Sequence, residues 1–594
     1  MRIMLLIFVC VSLAVTGAHA MPVLTGIQPL AIPSGKAIEV KLIGNNFSED
    51  LRLWTSFDAE VKLVKRIDAK QVVFRIKARN ELPREVGVLR VHDRTGLSDP
   101  VMLLIDDLPT NNASSTDKTK PQILKLPAAL DGKTAGVNSH WFVFDAMRGQ
   151  AMSVEVYAER IGSKADPIIR LINPDGREVD YADDDDVLGS DAGLIHTAKV
   201  DGRYLLELRD VQYRAGLQYR LRIGDFRIWP EVKAGKGQVI EKEPNDDYKK
   251  ATSLPLGRVG FGYIEKAGAR DHFRITGMKG QWVRFRAYSR RIGSPAYIYL
   301  ELLNVVGKPV ATAGTEIASQ TILRHKLSVS GDFTLRVEEL LKRGGKRYAY
   351  RIDSHGSSGD FQLKLKNGKD TTEKFWGIPG QQIELSIQVE RKGYNGPITL
   401  SVANGWMLAD NVIKANANAA QLKVAVPKEA NLAELHHLVI HGKGDAEESV
   451  DASIDLFSNL RQRWPQMAFP PAVLQGVVPV AVIEPTQVSM AAAKLKQGAK
   501  VKVRVTTKRP PEPIGLKAAP QQIAIELKNL PAGVTAPSRI AVDAKKDFVE
   551  FELTATGDAK PGKFEVVAVA KSKYRGAAWI MESAAVTVEV LKNE

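Results

Sequence analysis

His140-Trp141-Phe142-Val143-Phe144-Asp145-Ala146-Met147-Arg148-Gly149-Gln150 occurs a second time, with substitutions, as Asp271-His272-Phe273-Arg274-Ile275-Thr276-Gly277-Met278-Lys279-Gly280-Gln281. The two copies lie 131 residues apart, the distance from His140 to Asp271, and Arg160-Ile161-Gly162-Ser163 returns at the same offset as Arg291-Ile292-Gly293-Ser294. Past the first segment, Met152, Val154, Val156 and Ala158 alternate with other residues, and Val283, Phe285, Ala287 and Ser289 repeat the pattern. A period of two gives a strand one buried and one wet face, as in an antiparallel sheet. Gly202-Arg203-Tyr204 answers to Gly331-Asp332-Phe333 at an offset of 129, and the offset returns to 131 at Tyr219 and Tyr350. Length changes confined to turns, with register kept in strands, are expected of a duplicated β unit.

Outward from this repeat the rest of the chain has the same character. Its 594 residues exceed what one core can organise, and short alternating runs bounded by Gly, Pro, Asn and Asp dominate. The expected class is all-β, as tandem β-sandwiches of immunoglobulin-like and jelly-roll-like form. Residues 1–20 read as a secretory leader: Arg2, an apolar run from Met4 to Val15, and a small-x-small site at Ala18-His19-Ala20, with cleavage expected after Ala20. The modules are then expected at 21–108, 118–228, 240–366, 370–460 and 476–592, with linkers at Asp107–Ser115, at Trp229–Gly237 and at the proline-rich Trp464–Pro471. The single cysteine, Cys10, falls inside the leader, so the exported chain would hold no disulfide and no thiolate metal site. No later stretch is long and apolar enough to span a bilayer. A secreted, periplasmic or cell-surface location follows.

Three resemblances carry expectations. Ile27-Gln28-Pro29, Ser34-Gly35 and Gly44-Asn45-Asn46-Phe47 resemble the first strands of IPT/TIG modules, which implies a small sandwich. Glu243-Pro244-Asn245-Asp246, Asp271-x-Phe273, Gly280-Gln281, Asp166-Pro167, Pro174-Asp175-Gly176 and Gly202-x-Tyr204 resemble the bacterial pre-peptidase C-terminal domain. That family implies a jelly-roll-like accessory sandwich of exported proteins, related to collagen-binding modules and associated with Ca²⁺ in some members. Gly396-Pro397-Ile398-Thr399-Leu400 and Ile523–Val534 resemble immunoglobulin-like modules of bacterial surface proteins. The assortment of modules is similar to that of large secreted proteins of planctomycete-type bacteria.

Site candidates are few. The acidic loop Asp180-Tyr181-Ala182-Asp183-Asp184-Asp185-Asp186 has no counterpart in the second copy, where Thr312-Ala313-Gly314-Thr315 stands. Clustered carboxylates on a turn suit a hard cation, and Asp183, Asp185 and Asp191, with Asp166, are the expected ligands for Ca²⁺; a solvated acidic turn is the plainer reading. His140 stands where the second copy has Asp271 and reads as a half-buried structural histidine. His436, His437 and His441 read as strand residues too far apart for one zinc ion. Asp353–Asp360, with Ser357, reads as a hairpin or exit loop, because nothing places a triad around it. Tyr213 is the aromatic expected to be exposed for ligand stacking, while Tyr204 and Tyr219 have core parity.

The net charge of +15 and pI near 9.4 suit an anionic polysaccharide or an extracellular protein, but the basic residues are dispersed and no nucleic-acid module is present. The expected function is an exported, non-catalytic binding or spacer protein. The alternatives are a secreted protease or its accessory subunit, and a calcium-dependent adhesin.

Overall fold

The computed structural model describes residues 21–229, 231–315, 320–365, 375–403, 405–445, 452–465, 467, 470–483, 486–509, 522–574 and 577–592. The leader read at residues 1–20 lies outside them.

The duplicated unit is a pair of five-stranded sheets in both copies. In the first, one sheet runs Gln122–Ile123, His140–Ala146, Gly202–Asp210, Pro167–Ile172, Glu178–Ala182, and the facing sheet runs Thr110–Asn112, Ala128–Ala135, Ala215–Gly224, Ala151–Tyr157, Gly193–Thr197. In the second copy the orders are Thr252–Ser253, Arg270–Gly277, Gly331–Glu339, Ile298–Leu303, Pro309–Ala313 and Val239–Ile240, Val259–Tyr263, Ala349–Ser357, Trp282–Tyr288, Gln320–Lys326. The two topologies are identical.

The alternation explains the core. Met152, Val154 and Val156 point inward against Phe142, Phe144 and Tyr204; Val283, Phe285 and Ala287 point inward against Phe273 and Phe333. Each large side chain so buried contributes about 1.5–3 kcal/mol. The repeated Met-x-Gly-Gln is the turn after His140–Ala146 and after Arg270–Gly277. Gly149 and Gly280 take left-handed φ of +84° and +86°, and Gln150 and Gln281 each accept the N–H of Met147 and Met278 at 3.0 Å. A residue with a Cβ is strained at that φ, which accounts for the glycine.

The first module is a sandwich of Val23–Gln28, Ala37–Asn45, Gln71–Ala78 and Ala59–Arg66 against Ala31–Ile32, Val101–Ile105, Val86–Asp93 and Arg52–Thr55. The last is a sandwich built on Lys500–Lys508, Phe548–Ala555, Ile523–Lys528 and Gly562–Tyr574. All modules are β-sandwiches, and among the described residues no helix is long and apolar enough to cross a membrane.

Strand pairing moves three expected boundaries. Asp360–Leu365, assigned above to the second repeat, pairs with Gln382–Lys392 and Ala452–Asp455 of the fourth module. Val478–Val482, assigned above to the last module, pairs with Phe375–Gly377 and Leu435–Leu438 and closes the fourth. The segment read as a linker between them is packed: Trp464 and Met467, with Leu460 of the short helix Phe457–Arg463, sit in the first module's core cluster. Likewise Thr110–Asn112, read as linker, is a strand beside Ala128–Ala135. Only Thr110–Asn112 was hidden by polar, turn-rich composition; the others were misassigned because a strand's partner, or a helix's packing site, lies far away in sequence.

Candidate metal centre

The acidic loop divides three ways. Asp166, Asp183 and Asp184 bring carboxylate oxygens within 4.8 Å of one another. Burial, and then the charges of Asp184 and Asp183, push Asp166 up to about 6, and its Oδ1 is buried without a partner. Asp185 turns away: it accepts the N–H groups of Val187 and Leu188 at 2.7 and 3.1 Å and the Trp229 indole N–H at 3.2 Å. Asp186 pairs with Arg343 of the second repeat, and Arg347 approaches Asp185 at 3.7 Å. Half of this loop is therefore a contact between repeats, which gives a structural reason for its presence in one copy alone.

Asp191 is not with the others. It is fully buried, accepts the backbone N–H groups of Ala158, Glu159 and Arg160, and pairs with Arg160 Nε at 2.7 Å. Four donors satisfy it, so it fixes the turn after Ala151–Tyr157 instead of completing a cation shell. The set expected from sequence thus keeps Asp166 and Asp183, loses Asp185 and Asp191, and gains Asp184.

A second cluster, which the sequence reading passed over as a site, has better chemistry. Glu241, Glu243 and Asp271 also place oxygens within 4.8 Å of one another. Glu241 and Glu243 follow the parallel edge strand Val239–Ile240, and Asp271 lies on Arg270–Gly277. Asp271 is fully buried; its Oδ2 accepts the Tyr350 hydroxyl at 2.6 Å and its Oδ1 has no partner. Burial, then the neighbouring Glu241, pushes its carboxyl up to about 8. Glu241 is also raised by burial. Asn245, fully buried, donates its amide to Glu241 and its backbone N–H to Glu243 at 2.9 Å, leaving its own Oδ1 buried and unpartnered. A buried carboxylate oxygen left without a partner costs free energy that a cation would remove. Three convergent carboxylates are the donors a hard oxygen-seeking ion takes, water completing the shell.

The first copy has lost this arrangement. His140 replaces Asp271, and the Tyr219 hydroxyl meets its Nδ1 as Tyr350 meets Asp271. Ala113, whose N–H bonds Asp131 O as the Glu241 N–H bonds Phe261 O, replaces Glu241. Burial lowers the His140 pKa, so a neutral ring fills the space. The signal in the sequence was Glu241-x-Glu243 ahead of Asp271; only the fold shows that the three carboxylates meet.

The remaining candidates are placed as follows. Tyr213 is half exposed at a left-handed turn, φ +57°, with the Arg209 guanidinium 4.5 Å over its ring. Tyr204 and Tyr219 are buried. His437 stacks on Trp54 of the first module at 4.3 Å, and burial lowers it to about 4; His436 lies against Trp406, and His441 is on a different strand, Ile440–Gly444. The three do not converge. Ser357 is buried at the end of Ala349–Ser357, which continues as strand where a loop was expected, and Asp360 beyond it pairs with Arg284 and Arg324. A cavity of about 720 Å³ between the repeats is lined by Arg227, Trp229, Tyr263, Lys346 and Arg347.

Neither a family model nor a curated protein matches the chain. Among solved structures it is similar to the pre-peptidase C-terminal domain of collagenase from Bacillus anthracis (16% identity, 18% of this chain and 94% of that one, TM-score 0.15). It is also similar to trypsin-activated alpha-2-macroglobulin from Escherichia coli (7% identity, 97% of this chain, TM-score 0.14), of which it spans 49%. A third is Dpr2 Ig1-Ig2 in complex with DIP-Theta Ig1-Ig3 (10% identity, 39% of this chain and 100% of that one, TM-score 0.17).

Proposed function

We propose that this is an exported, non-catalytic binding or spacer protein of the cell envelope whose second repeat holds one calcium ion between Glu241, Glu243 and Asp271. The observation that carries the metal is the fully buried Asp271 oxygen without a partner, facing two further carboxylates. The ion would tie the segment entering the second repeat to its core and stiffen the junction with the first. Export rests on the leader read at residues 1–20, and the binding role on the assembly of sandwiches with exposed loops on rigid sheets. The Asp166, Asp183 and Asp184 set is the second, weaker cation candidate, because Asp166 is only partly buried where Asp271 is wholly so.

Calorimetric titration of the full exported chain with CaCl₂ tests the reading. Heat is expected at millimolar or lower Ca²⁺, and Asp271→Asn should weaken binding at least tenfold. Heat lost in Asp183→Ala but kept in Asp271→Asn would move the site to the acidic loop. Turnover of casein or collagen by the purified chain would overturn the non-catalytic reading.

A further inference from the structure

One end of the second repeat carries an apolar tip. The strands Arg270–Gly277 and Ile298–Leu303 end there, and Gly331–Glu339 begins there. The turns at 277–281, 304–308 and 327–331 therefore stand side by side. The Lys279 N–H donates to the Ser330 hydroxyl at 2.9 Å, and a Cβ on Gly331 would come within 3.0 Å of Val305. Six large apolar side chains are exposed among the described residues of this repeat, and four of them, Met278, Val305, Val306 and Val329, sit on these three turns at 45–64% exposure. Apolar residues scattered singly over a surface need no explanation, but a cluster does. The fold does not ask for this one. In the first repeat the turn Asn173-Pro174-Asp175-Gly176-Arg177 has the same geometry as Asn304-Val305-Val306-Gly307-Lys308. The asparagine Oδ1 accepts the N–H of Arg177 or Lys308 at 2.9 Å, and Gly176 and Gly307 take φ of +80° and +77°. Pro and Asp are ordinary turn residues, whereas two successive valines at the apex are not. The turn is held firmly, since a Cβ on Gly307 would meet the Tyr248 ring at 2.9 Å. The fourth module packs on the facing sheet, where Gly393 abuts Trp282, and leaves the four apolar side chains exposed.

We propose that this tip dips into the surface of a bilayer containing anionic phospholipid, as a peripheral membrane contact of the second repeat. The inference names the envelope component that the binding or spacer function touches, and rests on that reading. Lys279, Lys308 and Lys326 flank the apolar residues, are exposed, and form no ion pair among the described residues. The acid beside them, Asp332, accepts the Thr276 hydroxyl at 2.7 Å. Three ammonium groups against one carboxylate give the rim the charge that anionic headgroups attract. Shape decides between partners. The apices of turns are convex, and a convex apolar tip finds room at the boundary between headgroups and acyl chains, whereas a protein partner would have to supply a groove. The long lysine stems let their ammonium groups stay at headgroup level while the valines go deeper.

The test is co-sedimentation of the full exported chain with vesicles at physiological salt, using equimolar phosphatidylglycerol and phosphatidylcholine as the anionic arm and phosphatidylcholine alone as the neutral arm. Partition onto the anionic vesicles only is expected. Val305→Pro with Val306→Asp installs the first repeat's turn. It should lower that partition at least tenfold while leaving the melting temperature and the calcium heat unchanged. Val137→Asp, on an exposed turn of the first repeat, should change partition less than twofold. Val306→Cys gives the exported chain one cysteine, and a polarity-sensitive fluorophore on it should shift to the blue on anionic vesicles. Equal losses in the two Asp-bearing variants would overturn the proposal in favour of diffuse adhesion of a basic chain. Binding without a blue shift would overturn the insertion, and equal partition onto neutral vesicles would overturn the anionic partner. No partition onto either would overturn the proposal outright and leave the tip to a protein partner. The calcium heat is read on the same samples, so vesicle binding lost with the heat kept strikes this contact alone, and the metal reading fails only where the heat is absent.

Discussion

At the scale of the residue, Asp271 decides how the second repeat responds to pH. Its carboxyl titrates near 8 when folded and near 4 when unfolded. The folded state therefore binds the extra proton, and stability falls as pH rises from about 4 to about 8, by on the order of 5 kcal/mol at full shift. Calcium reverses the sign of the problem by favouring the ionised form. Two outcomes are expected. Without calcium, the melting temperature should drop between pH 5.5 and pH 8.5, and Asp271→Asn should flatten that slope. At pH 7, binding should release close to one proton, so the calorimetric enthalpy should differ between buffers of different ionisation heat. An enthalpy independent of buffer would place the ion elsewhere. The sequence showed Glu241, Glu243 and Asp271 plainly but not their meeting. Thirty residues separate Asp271 from Glu241, and the acidic run at Asp180–Asp186 drew attention because its carboxylates are adjacent. Adjacency misled: Asp185 caps its own turn and Asp191, itself buried, pairs with the partly exposed Arg160.

Elements were more legible than their partners. The alternation at Met152–Ala158 and Val283–Ser289 fixed strands, faces and the duplication, because period-two patterning is local. Which strand a strand pairs with is a long-range property, and the boundaries at 366 and 476 slipped for that reason. Asp360–Leu365 alternates as well as any strand of the second repeat, yet lies beside Gln382–Lys392. The consequence is testable with fragments. A fragment of residues 370–460 lacks both Asp360–Leu365 and Val478–Val482, exposing Phe361, Leu363, Val478 and Val480 partners in the core of the fourth module. It should be unfolded by circular dichroism and bind a hydrophobic dye. A fragment of residues 358–486 should show a cooperative thermal transition. Cooperative folding of the shorter piece would contradict the pairing.

At the scale of the molecule the five sandwiches are fused, not strung on open linkers. The first module's core takes in Tyr157 and Ile161 of the first repeat and Leu460, Trp464 and Met467 of the fourth module, and Leu97, Ile378, Ala481 and Ile483 share the cluster of the last. Between the first module and the first repeat the contact is ionic. Arg220, fully buried, bridges Asp106 and Asp131, and Asp131 also accepts the N–H of Leu30 across the junction at 2.7 Å. Removing the cation leaves Asp106 to Arg222 but strips Asp131 of its counter-charge, and deleting one partner of a buried pair costs ~3–5 kcal/mol. Arg220→Met should therefore lower the urea midpoint and split a shared calorimetric transition into two, as the first module uncouples from the first repeat. Adding Asp131→Asn keeps an acceptor for Leu30 and removes one stranded charge, so the double variant should recover part of the loss. A single, unshifted transition in Arg220→Met would mean that the apolar contacts of Tyr157 and Ile161 alone hold the junction, and that its ion pairs are a consequence of docking and not its cause.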